Sequence, residues 1–201
     1  MPQKPKIPIL PNTCYHIYNR GINRQAIFRK RRDYQRFLLL IDRYVLPVAK
    51  LLSYALMGNH FHLNVLMKPK HELPAKVLSS PRALGNTFGH LQNAYARYFN
   101  LQEGRVSGLF EQNFKRIPVD TLAYFQELVV YHHFNPQVHR MATDFTEYWW
   151  TSYQEYSHPL VERRVDIDFT WKRFGGKAAF FSAHQRDVPL AMQAYEFDED
   201  E

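Results

Sequence analysis

Two apolar segments joined by a two-residue turn constrain the fold more than any other feature of this 201-residue chain. The segments are residues 51–57 (LLSYALM) and 60–66 (HFHLNVL), and Gly58-Asn59 between them is a typical turn dipeptide. Together they predict a β-hairpin, the building unit of an antiparallel sheet.

Strands and helices alternate around this hairpin. The predicted elements are a short strand at residues 15–19, a helix capped by Asp33 that runs to about Tyr44, an amphipathic helix over 82–100, a strand around 114–119, and a helix capped by Asp120 or Thr121 that runs to about Phe134. We expect Asn135-Pro136 to end the last helix. The order predicts an α+β fold, a ferredoxin-like split βαβ antiparallel sheet with helices on one face, plus an additional helix that carries Tyr131.

Beyond this order the pattern is weaker. We predict one domain over residues 1–158 and a C-terminal extension over 159–201 that ends in an acidic tail. Five of the last six residues, 196–201, are acidic, and such an end is usually solvated.

Composition excludes several classes of protein. Hydrophobic residues make up 45% of the chain and charged residues 22%, which is enough for a core and argues against wholesale disorder. No apolar run approaches the roughly 18 residues of a membrane span. A single cysteine, Cys14, excludes an intramolecular disulfide and a cysteine-based zinc site. We expect a cytoplasmic protein with no membrane partner.

The net charge of +7 is unevenly distributed. Residues 1–140 hold 20 Lys and Arg against 7 Asp and Glu, whereas residues 141–201 hold 6 against 12. Aromatic residues make up 15% of the chain, and several lie among the basic ones. Cations that follow phosphates, together with rings that stack on bases, favour single-stranded nucleic acid as the partner.

The segment His60-Phe61-His62 is the first candidate for chemistry. Side chains alternate along a strand, so both imidazoles point to one face while Phe61 points to the other. Two imidazoles on a rigid strand can hold a divalent metal ion. A structural histidine pair is the alternative.

The second candidate is the segment Tyr131 to Pro136. Tyr131 and Asn135 are four residues apart and share one helical face. If this helix packs beside the histidine strand, Asn135 supplies a third, oxygen ligand and Tyr131 lies at the metal. The alternative is a core tyrosine followed by a helix stop.

Several separated segments, spread over residues 13 to 153, form a recognisable set. They are residues 54–63 (YALMGNHFHL), Tyr131-x-x-x-Asn135-Pro136, 15–21 (YHIYNRG), Arg105 with 108–110 (GLF), 114–116 (FKR) and 151–153 (TSY). This set resembles the single-tyrosine HUH transposases, and within them the REP-associated tyrosine transposases. The chain departs from the family at Gly58, where Pro is usual, and at His132 and Gln137, where Ile and Val are usual.

The resemblance implies DNA transposition or recombination chemistry, in which single-stranded DNA is cleaved and joined with the help of a metal ion. Tyr131 would be the nucleophile, forming a 5′-phosphotyrosine, and His60, His62 and Asn135 would hold Mg²⁺ or Mn²⁺. The partner would be single-stranded or hairpin DNA, and the chain could be a monomer or a homodimer. The expected DNA contacts are Arg20, Arg24, Arg29, Arg31, Arg32, Lys115 and Arg116.

Three other functions fit parts of the pattern. A non-catalytic nucleic-acid-binding module is the main alternative, since split βαβ sheets with aromatic faces also bind RNA. A metal-dependent hydrolase would use water in place of Tyr131. Replication initiators and relaxases share the histidine pair, usually in larger chains.

Overall fold

The structure, a computed structural model, describes residues 7–80, 82–111 and 113–185. Within these ranges four strands form one antiparallel sheet in the order β2-β3-β1-β4. The strands are β1 (Cys14–Arg20), β2 (Ala49–Met57), β3 (His60–Met67) and β4 (Lys115–Pro118). The hairpin of β2 and β3 turns at Gly58 and Asn59, as predicted. The ferredoxin-like fold class is confirmed.

The helices are α1 (Arg31–Tyr44), α2 (Ala75–Leu78), α3 (Ala83–Glu103), α4 (Leu122–Val138), α5 (Tyr153–Ser157), α6 (Ile167–Phe174) and α7 (Lys177–Ala183). Helix α1 begins two residues before Asp33, the predicted capping residue, which therefore lies inside the first turn. The Asp33 carboxylate accepts the backbone N–H groups of Arg29 and Lys30 at 2.9 and 2.8 Å, so it satisfies donors that the helix start leaves open.

Helices α1 and α3 cover one face of the sheet. Phe37 of α1 lies 4.9 Å from the ring of Phe61 on β3 and 5.0 Å from the ring of Tyr95 on α3. Leu63 and Val65 continue this fully buried face of β3. The apolar half of the alternating pattern therefore forms the core, and the histidine half faces away from it.

Helix α4 packs on the opposite face of the sheet, where His132 contacts Ser53 of β2. The predicted helix end at Asn135-Pro136 is wrong, since α4 continues to Val138. Pro136 lies in the last turn of α4, and because proline has no backbone N–H, one helical hydrogen bond is lost there. The N–H of His139 still donates to the carbonyl of Asn135 at 3.0 Å. Asn135 is consequently a true helical residue.

The segment after α5 returns to the edge of β2. The N–H of Asp166 donates to the carbonyl of Leu51 at 2.8 Å, and the Asp166 carboxylate pairs with Lys50 at 2.8 Å. Helix α7 then brings His184 to α4, where it contacts His133. The boundary predicted at residue 158 stays a prediction, and the acidic tail lies outside the described residues.

Among the described residues, no helix is both long and apolar enough to cross a membrane.

Candidate metal and nucleophile site

The hairpin turn fixes the orientation of His60. Asn59 donates its side-chain N–H to the carbonyl of Arg24 at 3.3 Å, which directs its oxygen to His60 Nδ1 at 2.7 Å. An amide oxygen only accepts, so Nδ1 of His60 carries the proton. In the neutral ring the lone pair is then on Nε2.

Helix α4 brings Asn135 to that lone pair. The amide oxygen of Asn135 lies 3.3 Å from His60 Nε2. With Nδ1 protonated, both atoms are acceptors, and a cation between them would stabilise the arrangement. Octahedral Mg²⁺ holds its ligands at 2.0–2.1 Å, which separates neighbouring ligand atoms by about 3 Å. His60 and Asn135 therefore fit two positions of such a site.

His62 and Tyr131 complete the predicted set. The rings of His60 and His62 lie 5.0 Å apart, and the ring of Tyr131 contacts His62 edge to face at 5.8 Å. The structure thus brings together all four residues, which come from a mid-sheet strand and a helix about 70 positions later. Their roles stay predictions.

Solvent hardly reaches this site. His60 is 7% exposed and Tyr131 1%. The ring of His139, just after α4, covers His60 at 5.2 Å. Burial, the largest cause, acts together with His139 and Arg20 to lower the pKa of His60 to about 3. His60 is therefore neutral at pH 7, as a metal ligand must be.

Two further histidines, which are not among the predicted ligands, adjoin His62. His16 of β1 bonds through Nε2 to His62 Nδ1 at 2.9 Å. His132 of α4 lies 5.1 Å from His16 and 5.5 Å from His62 between ring centres. One ring nitrogen of each of the three lies within 4.8 Å of the others, so this group could also hold a metal ion.

The first group of predicted DNA contacts surrounds the start of α1. Arg24, Arg31 and Arg32 are exposed. Arg29 pairs with Glu103 at 2.7 Å, and Arg20 pairs with Glu111. Arg31 and Arg32 lie in the first turn of α1, where cations oppose the helix dipole. Helix stability therefore does not explain why these two cations are there.

Lys115 and Arg116 lie on opposite faces of β4. Lys115 is opposite Tyr18 in the register, and Tyr18 is opposite His62, so Lys115 is on the histidine face. Arg116 is opposite Ile17 on the core face, where its guanidinium stacks on Phe114 at 4.3 Å and donates to the carbonyl of Ile7. Because the pair is divided, only Lys115 shares a surface with the candidate site.

An open cavity of about 510 Å³ lies beside the N-terminal end of α1. It is lined by Arg31, Gln35, Trp149 and Trp150, and Trp149 is 61% exposed. The carbonyl of Trp150 accepts the N–H of Leu56 at 2.9 Å. Leu56 directly precedes Met57, which is paired with His60 in the sheet. The cavity therefore adjoins the end of the sheet at which His60 lies.

These features define a ferredoxin-like antiparallel sheet whose second face carries histidines and is crossed by a tyrosine-bearing helix. The same fold occurs in a solved structure, that of the REP-associated tyrosine transposase bound to a REP hairpin. The TM-score is 0.54 at 10% identity, over 83% of this chain and 93% of that chain. The predicted resemblance is thereby confirmed at the level of the fold. No protein-family model matches the chain. No curated protein matches it either.

Proposed function

We propose that the chain is a single-tyrosine HUH enzyme of the REP-associated transposase type, which nicks and joins single-stranded DNA. One observation carries the proposal: Tyr131 and Asn135, one turn apart on α4, meet His60 and His62 of β3. Packing alone does not require these polar contacts, because apolar side chains could fill the same space without burying polar atoms.

His60, His62 and Asn135 would hold a divalent ion, Mg²⁺ or Mn²⁺ in use. Two neutral imidazoles and an amide leave its charge uncompensated, which suits a phosphate as a further ligand. When bound, the ion would polarise the scissile phosphate and stabilise the charge that develops on it. The amide Nδ2 of Asn135 is buried and has no hydrogen-bond partner within the described part of the chain, so it can still donate to a DNA oxygen.

Tyr131 would attack the scissile phosphorus through its phenolic oxygen. The bond from phosphorus to the 3′ oxygen breaks, the phenol gives up its proton, and the leaving 3′ oxygen takes one up as a free 3′-OH. The 5′ phosphate stays on Tyr131. Since the phosphodiester linkage is retained, a 3′-OH can reverse the reaction without ATP. Because Tyr131 is 1% exposed and the ring of His139 covers His60, the DNA must displace part of the protein around the site.

The exposed cations would guide the strand to Tyr131. The exposed Arg24, Arg31 and Arg32 would bind phosphates at one end of the sheet, and Lys115, on the histidine face, would bind another. The indole of Trp149 offers an exposed face on which an unpaired base could stack.

A nicking assay tests the proposal against the non-catalytic alternative. Hairpin-bearing single-stranded DNA should be nicked with Mn²⁺, and nicking should stop with a chelator and in His60→Ala. His71→Ala, at a histidine with an 81% exposed side chain, is the matched control and should nick normally. Binding without nicking, under every metal tried, would favour a binding module.

A further inference from the structure

His16, His62 and His132 form a buried cluster, and the proposed nicking reaction uses only His62 of the three. Its members come from β1, β3 and α4, and each is at most 2% exposed. Removing three imidazoles from water costs free energy unless their ring nitrogens form hydrogen bonds or bind an ion.

Two ring nitrogens of the cluster lack a hydrogen bond. Among the described residues, Nδ1 of His16 and Nε2 of His132 have no hydrogen-bond partner. Nδ1 of His132 is held by the hydroxyl of Ser53 at 2.9 Å. His132, anchored through Nδ1 with Nε2 left open, therefore has the arrangement of a metal-ligating histidine with an orienting outer partner.

We propose that His16, His62 and His132 form a second metal site, which binds Zn²⁺ or a similar transition-metal ion. The ion would lie between His16 Nε2 and His62 Nδ1, now 2.9 Å apart, with His132 as the third ligand, and the proton that the two rings share would move to the other nitrogen of the ring that holds it. Tetrahedral Zn²⁺ with bonds of 2.0–2.1 Å separates its ligand nitrogens by about 3.3 Å, so a small outward shift suffices. The proposal does not depend on the nicking activity.

The two sites share His62, whose neutral ring has one lone pair and so can bind one ion at a time, and their other donors give them different metal preferences. An all-imidazole site suits Zn²⁺, Ni²⁺ or Cu²⁺, whereas the oxygen of Asn135 beside His60 suits Mg²⁺ or Mn²⁺. His132 stands where the resembled transposases usually have isoleucine, so the three-histidine site would be a property of this chain. The alternative is a hydrogen-bonded cluster that only orients His62.

Zinc titration of the full chain, with a chromophoric chelator as competitor, tests the site. The unmodified protein should bind one Zn²⁺ with a dissociation constant below about 1 µM. His132→Ile should weaken this binding by at least about 100-fold, while His60→Ala and His71→Ala leave it within about 3-fold. Circular dichroism establishes that each variant is folded.

Co²⁺ provides a readout that needs no variant, since four-coordinate Co²⁺ absorbs visible light far more strongly than six-coordinate Co²⁺. Intense absorption that added Zn²⁺ abolishes is the expected result. Weak absorption, zinc binding that survives His132→Ile, or zinc binding lost equally in His60→Ala would overturn the proposal. Nicking that fails in Mn²⁺ while the zinc results hold would reject the nicking function alone.

Discussion

Acid should weaken the attachment of α7, because two buried histidines there are bonded as neutral rings. His184 Nδ1 donates to the carbonyl of Phe180 at 2.8 Å, which leaves Nε2 to accept from Nδ1–H of His133 at 2.7 Å. Nε2 of His133 in turn faces the hydroxyl of Ser152 at 2.8 Å. A proton added to Nε2 of His184 would set two N–H groups against each other.

The size of the effect follows from the shift of one pKa. Burial lowers the pKa of His184 from 6.5 to about 4. Between these values the unfolded chain binds more protons than the folded one, so stability is lost as the pH falls through this window. Each pH unit is worth about 1.4 kcal/mol, or about 3 kcal/mol over the whole window. Burial also lowers the pKa of His133, which acts in the same direction.

Urea unfolding at several pH values between 6.5 and about 4 measures this slope. His184→Phe should flatten it by up to about 1.4 kcal/mol per pH unit. At neutral pH the variant should be about 1–3 kcal/mol less stable, because the N–H of His133 loses its acceptor. His71→Ala, at an exposed histidine, should keep the original slope. Equal slopes in His184→Phe and the unmodified protein would refute the reasoning.

Three further predictions concern the proposed site. Asn135→Leu should abolish nicking but lower the free energy of unfolding by less than about 1 kcal/mol, as measured with urea. The reason is that the Nδ2 group it removes has no hydrogen bond among the described residues. A large loss of stability would contradict this. Replacing Arg31 and Arg32 with Ala should reduce the slope of log affinity against log salt by up to about 1.4, which fluorescence anisotropy checks, and an unchanged slope would remove both from the DNA interface. Trp149→Ala should weaken single-strand binding about 5- to 100-fold in the same assay with unchanged stability, whereas unaltered affinity would exclude base stacking at this indole.

Local periodicity explains which parts of the site are predictable from sequence. Alternation along β3 places His60 and His62 on one face, and the four-residue spacing places Tyr131 above Asn135 on α4. Neither rule says that α4 crosses that face of the sheet. Only the resemblance to known transposases brought the two elements together in the prediction.

His16 and His132 escaped prediction for different physical reasons. His16 lies on a neighbouring strand, and which of its side chains meet His62 depends on the register between β1 and β3. His132 lies on a helix in which residues 128–136 are all buried, because β2 packs on one part of its surface and residues 145–147 and helix α6 pack on others. A helix buried all round shows no apolar stripe from which its inner face could be deduced. Alternation along β4 would, however, have separated Lys115 from Arg116.

Transfer of a DNA strand to Tyr131 is the most direct test of the proposed function. Hairpin-bearing single-stranded DNA, labelled at its 3′ end, is incubated with the protein and Mn²⁺ and separated under denaturing conditions. The label should appear on the protein, whereas a 5′ label should remain on a shortened free strand. Tyr131→Phe keeps the ring that packs on His62 and should give neither product. Cleavage that persists in Tyr131→Phe, or cleavage that never labels the protein, would contradict the account.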